Sequence, residues 1–180
     1  IAWRGPILDR ALQQFLADVY WGDLDFLIVD LPPGTGDVAL SLGQKLPNAE
    51  VLVVTTPQQA SAEVAERAGT MASMLEQKVI GVVENMAFLE VTCPHCGESH
   101  RVDVFGSGGG AEVAGTLSAR LGYDVPLLAE IPMDPALAAA GDLVGLLFDS
   151  PFFVLGAYRS LQSNFAVLSG DLHIVSISRK

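Results

Sequence analysis

The residues best equipped for chemistry are two cysteines. They stand two residues apart in Cys93-Pro94-His95-Cys96-Gly97, a spacing at which both thiolates can turn toward one metal centre. Zinc and iron–sulfur clusters both ask for four soft donors, so one such pair completes only half a cage. A second copy of the chain can supply the other half, if the pair sits at a hairpin tip beside a two-fold axis. On residue chemistry alone the shared centre can be zinc as well as a cluster, and Gly97 permits the tight knuckle of a zinc ribbon. A redox dithiol is a third reading. That chemistry wants the first cysteine at a helix N-terminus, where the dipole lowers its pKa, and the following GESHR offers no helical run. His95 and His100 are conceivable further ligands, but loop histidines are more simply solvated, and neither enters the predicted ligand set.

The second chemical segment is DFLIVDLPPGTGD, residues 25–37. Its apolar run suits a strand buried on both faces, which would bring Asp30 out at the carboxyl edge of a parallel sheet, where ligands of open α/β sheets collect. A carboxylate there can hold a magnesium-bound water. Gly34 and Gly36 leave backbone N–H groups free to approach a terminal phosphate, and Asp37 falls where the next helix would begin. Asp30 and Asp37 are therefore the candidate catalytic pair. Asn85 follows another apolar run and is placed to offer its amide to a base. Gly106 and Gly108 to Gly110 have no neighbouring lysine and are read as turn glycines.

Taken together these strings resemble the Mrp/ApbC family, P-loop ATPases that carry iron–sulfur clusters. Asp30-Leu31-Pro32-Pro33-Gly34-Thr35-Gly36-Asp37 is similar to that family's switch II and Walker B region. Trp3-Arg4-Gly5-Pro6, VLVVTTPQ at 51–58, GVVENM at 81–86, Cys93 to Cys96, VFGSGGG at 104–110 and IPMDPAL at 131–137 agree in the right order. The resemblance implies a four-iron four-sulfur cluster (4Fe-4S) held between Cys93 and Cys96 of two chains in a homodimer, and delivery of that cluster to apo iron–sulfur client proteins. It also implies ATP and Mg2+, with Asn85 reading the adenine and Pro132 and Asp134 flanking it. The departure from the family is equally informative. No G-x-x-x-x-G-K-[ST] phosphate loop occurs in the chain, which opens on Ile1, so it reads as the C-terminal part of a longer protein and is not expected to hydrolyse ATP by itself. Two alternatives belong to other classes: a zinc-bridged, non-catalytic scaffold, and a positioning ATPase of the MinD and ParA kind. The latter needs a membrane helix or a basic DNA face, and the chain shows neither.

These residues need a frame to position them. The chain has 180 residues, 50% of them hydrophobic and 17% charged, which suits a buried sheet flanked by helices. Its formal charge of −11 argues against nonspecific binding to nucleic acid or anionic lipid. Two close cysteines are too few for a secreted disulfide framework, and a reducing cytoplasm is the natural compartment. Leu8, Leu12, Phe15, Leu16 and Val19 recur at helical spacing and predict a helix after Pro6. The pattern continues with a strand to Asp30, a helix over 36–45, the strand VLVVTT, a helix over 60–77 with Val64, Ala68, Met71 and Leu75 inward, and a strand over 80–84. A CxxC hairpin over about 88–106, a helix over 112–121, a strand over 125–131 and a helix from Pro135 complete it. This alternation predicts an α/β fold with a doubly wound, mostly parallel sheet, P-loop NTPase-like but incomplete, over residues 1–150. Residues 151–180 read as a divergent tail, AYRSLQSNFAVL as a helix and HIVSIS as an edge strand. That tail also resembles the stretch before the phosphate loop of bacterial tyrosine kinases of the polysaccharide type, which would mark a fusion or truncation boundary.

Overall fold

Short β-branched runs separated by alanine-rich amphipathic segments have few stable arrangements, and the commonest is a sheet with helices packed on it. The computed structural model has that form and describes residues 4–21, 26–31, 36–134 and 173–179. Gly34, the helix expected from Pro135 and the helix expected within 157–168 lie outside the described residues. In chain order the elements are α1 (Arg4–Ala17), β1 (Phe26–Asp30), α2 (Asp37–Lys45), β2 (Glu50–Thr55), α3 (Gln59–Met74), β3 (Lys78–Thr92), β4 (Ser99–Val102), α4 (Gly109–Leu121), β5 (Leu127–Met133) and β6 (His173–Arg179).

Six strands form one sheet in the order β1-β6-β2-β3-β4, with β5 also paired to β3. β2, β3 and β5 are parallel neighbours. β1 shares their direction, because β6 runs antiparallel to both β1 and β2. The sheet is therefore parallel in β1, β2, β3 and β5, with β4 and β6 reversed. β6 differs from expectation: HIVSIS pairs on both sides, inside the sheet, and not at an edge. Its backbone takes part in two ladders, where an edge position would leave one row of backbone groups unpaired.

The core lies between the sheet and its helices. Val51 and Val53 of β2, Val79 and Val82 of β3, Leu42 of α2 and Val113 and Leu117 of α4 are buried in one cluster, each such side chain worth about 1.5–3 kcal/mol of transfer free energy. The inner face of α3 is not the one the large residues suggested. Ala62, Ala65, Ala68, Gly69 and Ala72 are the buried set, while Val64 and Met71 are partly buried at its margin. Small side chains let α3 lie close against α4: a Cβ on Gly69 would stand 2.8 Å from Leu117 Cδ1. On α1, Leu12 and Leu16 pack against the core, whereas Phe15 stays 56% exposed and meets Trp21 edge to face at 5.0 Å. Among the described residues no helix is long and apolar enough to cross a membrane.

Candidate functional site

β3 connects the two candidate chemistries. Its first half pairs with β2 through Glu84 and with β5 through Asn85. Met86 then adopts φ 53°, a left-handed conformation that costs a residue with a side chain about 1–2 kcal/mol. Asn85 Oδ1 accepts the Met86 N–H at 2.9 Å and supports the bend. The sequence pattern ends this strand at Glu84; the structure carries it on past the bend to Thr92, where Leu89 to Thr92 pair antiparallel with β4. The second half is thus one arm of a hairpin whose turn holds both cysteines.

The turn is fixed by its own backbone. Cys93 N–H donates to Glu98 O at 2.8 Å, and Gly97 N–H donates to Cys93 O at 2.9 Å. Gly97 sits at φ 74°, a region glycine enters without penalty. Both thiols are free, Cys93 half-buried and Cys96 exposed. The backbone N–H of Cys96 first, then that of His95 and the Cys96 side chain, hold the Cys93 thiol below its ordinary pKa. The base of the hairpin is tied down by Arg101. Its guanidinium lies 4.1 Å from the Phe88 ring centroid, and it reaches Asp103 at 3.0 Å and Glu130 of β5 at 3.7 Å.

The carboxyl ends of β1, β2, the first half of β3 and β5 share one edge of the sheet. Asp30 ends β1, and Gly36 is the N-cap residue of α2 with Asp37 in its first turn. Negative charge there complements the helix dipole. Asn85 is 5% exposed and registers with Ile131, one residue before Pro132; Pro132 and Asp134 are exposed. From β1 to β5 there are four strand spacings, roughly 19 Å at about 4.8 Å each. The edge therefore divides the predicted residues into two groups, Asp30 and Asp37 at one end, Asn85, Pro132 and Asp134 at the other. Beside the second group, directly before Asn85 on β3, stands a further residue that local sequence pattern does not single out. Glu84 is fully buried; one carboxylate oxygen accepts the Gly110 N–H, and Oε1, like the nearby buried Thr56 Oγ1, has no partner among the described residues. A glutamate inside the apolar run GVVENM was its visible signal.

Gly109 and Gly110 open α4 and are not turn glycines. A Cβ on Gly109 would stand 2.6 Å from Pro57 O, and one on Gly110 would stand 2.7 Å from Glu84 Cβ. Only residues without side chains let the start of α4 abut the ends of β2 and β3. A second unpredicted grouping lies on the hairpin, where Cys96, Glu98 and His100 offer ligand atoms all within 4.8 Å of one another.

Fold and edge define an α/β protein of the P-loop NTPase type, and the comparisons agree. The profile of the family described as "ParA: NUBPL iron-transfer P-loop NTPase" matches residues 1–151. The iron-sulfur cluster carrier protein of Mycobacterium tuberculosis is 61% identical over 157 residues, covering 87% of this chain and 40% of that protein. The iron-sulfur cluster carrier protein of Deinococcus radiodurans is 48% identical over 179 residues, covering 99% of this chain and 47% of that protein. A solved structure, the nucleotide-binding protein of Archaeoglobus fulgidus in complex with ADP and with Co found by PIXE, superposes with TM-score 0.60 at 37% identity, over 82% of this chain and 57% of that one. The chain belongs to the NUBPL iron-transfer P-loop NTPase family, the Mrp/ApbC group that its motifs resembled. It spans less than half the length of these curated relatives.

Proposed function

We propose that this chain is the cluster-holding and nucleotide-sensing part of an iron–sulfur cluster carrier. The observation that carries the reading is the placement of Cys93 and Cys96 in the turn of a hairpin whose first arm is the outer half of β3. Two such turns meeting about a two-fold axis supply four thiolates, and the cluster they hold is cargo for apo iron–sulfur proteins. Exposure at the turn suits cargo that must leave. Four cysteine ligands accommodate a four-iron four-sulfur cluster, the form that the family resemblance implies, and a reducing cytoplasm keeps the thiols available.

The carboxyl edge would take the nucleotide. An adenine nucleotide stretched along it would set its phosphates toward Asp30, Gly34, Gly36 and Asp37, and its base toward Asn85, Pro132 and Asp134. The ADP of the Archaeoglobus relative supports that choice of ligand. Asp30 would hold a magnesium-bound water, the ion supplying charge neutralisation at the phosphates. Hydrolysis needs a lysine-bearing phosphate loop, which these 180 residues lack, so the chain by itself is read as non-hydrolytic. Because β3 runs from this edge to the hairpin, a change in phosphate occupancy can alter how firmly two hairpins are held together.

Anaerobic reconstitution with iron and sulfide tests the reading. Brown protein with a broad band near roughly 400 nm is expected, with cluster lost in both Cys93→Ser and Cys96→Ser and handed to an apo-ferredoxin on mixing. Full cluster content in the serine variants would overturn it. A zinc-type ion in the same thiolates is a second reading, favoured by the Co found with the Archaeoglobus relative; colourless protein carrying zinc and refusing iron would select it.

A further inference from the structure

We propose that a single chain binds one divalent transition-metal ion of the zinc or cobalt(II) class through Cys96 Sγ, a Glu98 carboxylate oxygen and a His100 ring nitrogen. The ligand atoms of these side chains lie within 4.8 Å of one another, and Cys96 Sγ is already 3.9 Å from Glu98 Oε2. Zinc bonds of about 2.3 Å to sulfur and about 2.0–2.2 Å to nitrogen and oxygen put neighbouring ligands roughly 3.5 Å apart in a tetrahedron. The closure required is therefore roughly 1 Å, by side chains on the surface of the hairpin that are free to turn.

The backbone beneath them is already set. Glu98 directly precedes β4 (Ser99–Val102), which contains His100, and residues two apart along an extended chain share a face. Cys93 N–H donates to Glu98 O, and Thr92 and Val91 register with Ser99 and His100, so the arm is held in place from the opposite strand. The donor set selects the ion. One thiolate, one carboxylate and one neutral imidazole balance a divalent charge, and a mixed sulfur, nitrogen and oxygen set suits borderline metals, whereas magnesium and calcium take oxygen ligands. Three protein ligands leave a fourth position for water or for Cys93, whose side chain interacts with that of Cys96.

The consequence for delivery rests on the proposed carrier function. A Cys96 committed to an ion within its own chain is unavailable to a cage shared by two chains, so zinc occupancy and the bridging cluster exclude one another. Mononuclear binding itself stands apart from that reading.

The test is anaerobic Co2+ titration of the metal-free chain, followed by thiolate-to-cobalt charge transfer in the near ultraviolet and by light scattering. One ion per chain at monomer mass is expected. His100→Ala and Glu98→Gln should each weaken binding at least about tenfold, since even outer-shell changes cost about 10–100-fold at metal sites, and Glu63→Gln on α3 should bind as the parent does. Saturation at one ion per two chains with dimer mass, or unchanged affinity in both hairpin variants, would overturn the proposal. Cluster content of reconstituted His100→Ala, measured in parallel, reports on the carrier reading separately: a four-thiolate cage keeps its cluster in that variant whatever the cobalt result.

Discussion

At the scale of single residues, the Cys93 thiolate is stabilised by donors that belong to its own turn. The Cys96 and His95 backbone N–H groups lower its pKa, with the Cys96 side chain contributing after them. A pKa below the unfolded value means that the thiolate's contribution to the folded turn is present above the unfolded value and is lost as pH falls through the folded one. Alkylation by iodoacetamide of metal-free Cys96→Ser, which keeps both backbone donors, should therefore show a midpoint for Cys93 below that measured in urea, where free cysteine titrates near about 8.5. Coincident midpoints would remove the turn as the cause. This residue and its partner were legible because C-x-x-C is a local spacing. His100 was visible as a conceivable ligand but stayed outside the predicted set, because its approach to Cys96 depends on the hairpin register, which no local pattern encodes. Glu84 was visible as a charge in an apolar run, but what it faces is decided by α4, which starts twenty-five residues further along the chain.

At the scale of elements, α4 is seated by the absence of two side chains, and two glycines of the same helix separate that cause from helix propensity. Gly110→Ala would push a methyl group into Glu84 and Leu127, whereas a Cβ on Gly115 meets nothing within 4 Å. Overpacking costs about 1–3 kcal/mol, while alanine in a helix interior gains about 0.8–1 kcal/mol over glycine. Urea denaturation should accordingly show Gly110→Ala less stable than the parent and Gly115→Ala more stable. Equal shifts in the two variants would mean that α4 does not press on β3. The same distinction explains what the sequence disclosed of the fold. Periodicity located β1, β2, α2 and α3 within a few residues because each is a locally consistent pattern. It set α4 to begin at Glu112 and not Gly109, since glycine reads as a breaker until a close neighbour is known. It also placed HIVSIS at an edge, because strand order is a property of the assembled sheet.

At the scale of the whole molecule, charge opposes the assembly that the paired cysteines invite. Each chain carries a formal charge of −11, so two copies repel before their hairpins meet, and in the proposed dimer the shared cluster would have to hold them against that repulsion. Exposed charges interact over the Debye length, about 30 Å at 0.01 M salt and about 10 Å at 0.1 M. Raising the salt concentration across that range should screen the repulsion and increase the dimer fraction of cluster-loaded protein. The Cys93→Ser, Cys96→Ser double variant, without a bridge, should stay monomeric throughout. Light scattering on anaerobic samples at equal protein concentration measures both. A dimer that dissociates as salt rises would show that complementary ion pairs join the two copies. A double variant that dimerises as the parent does would show that the contact lies away from the hairpin, and the four-thiolate cage would lose its support.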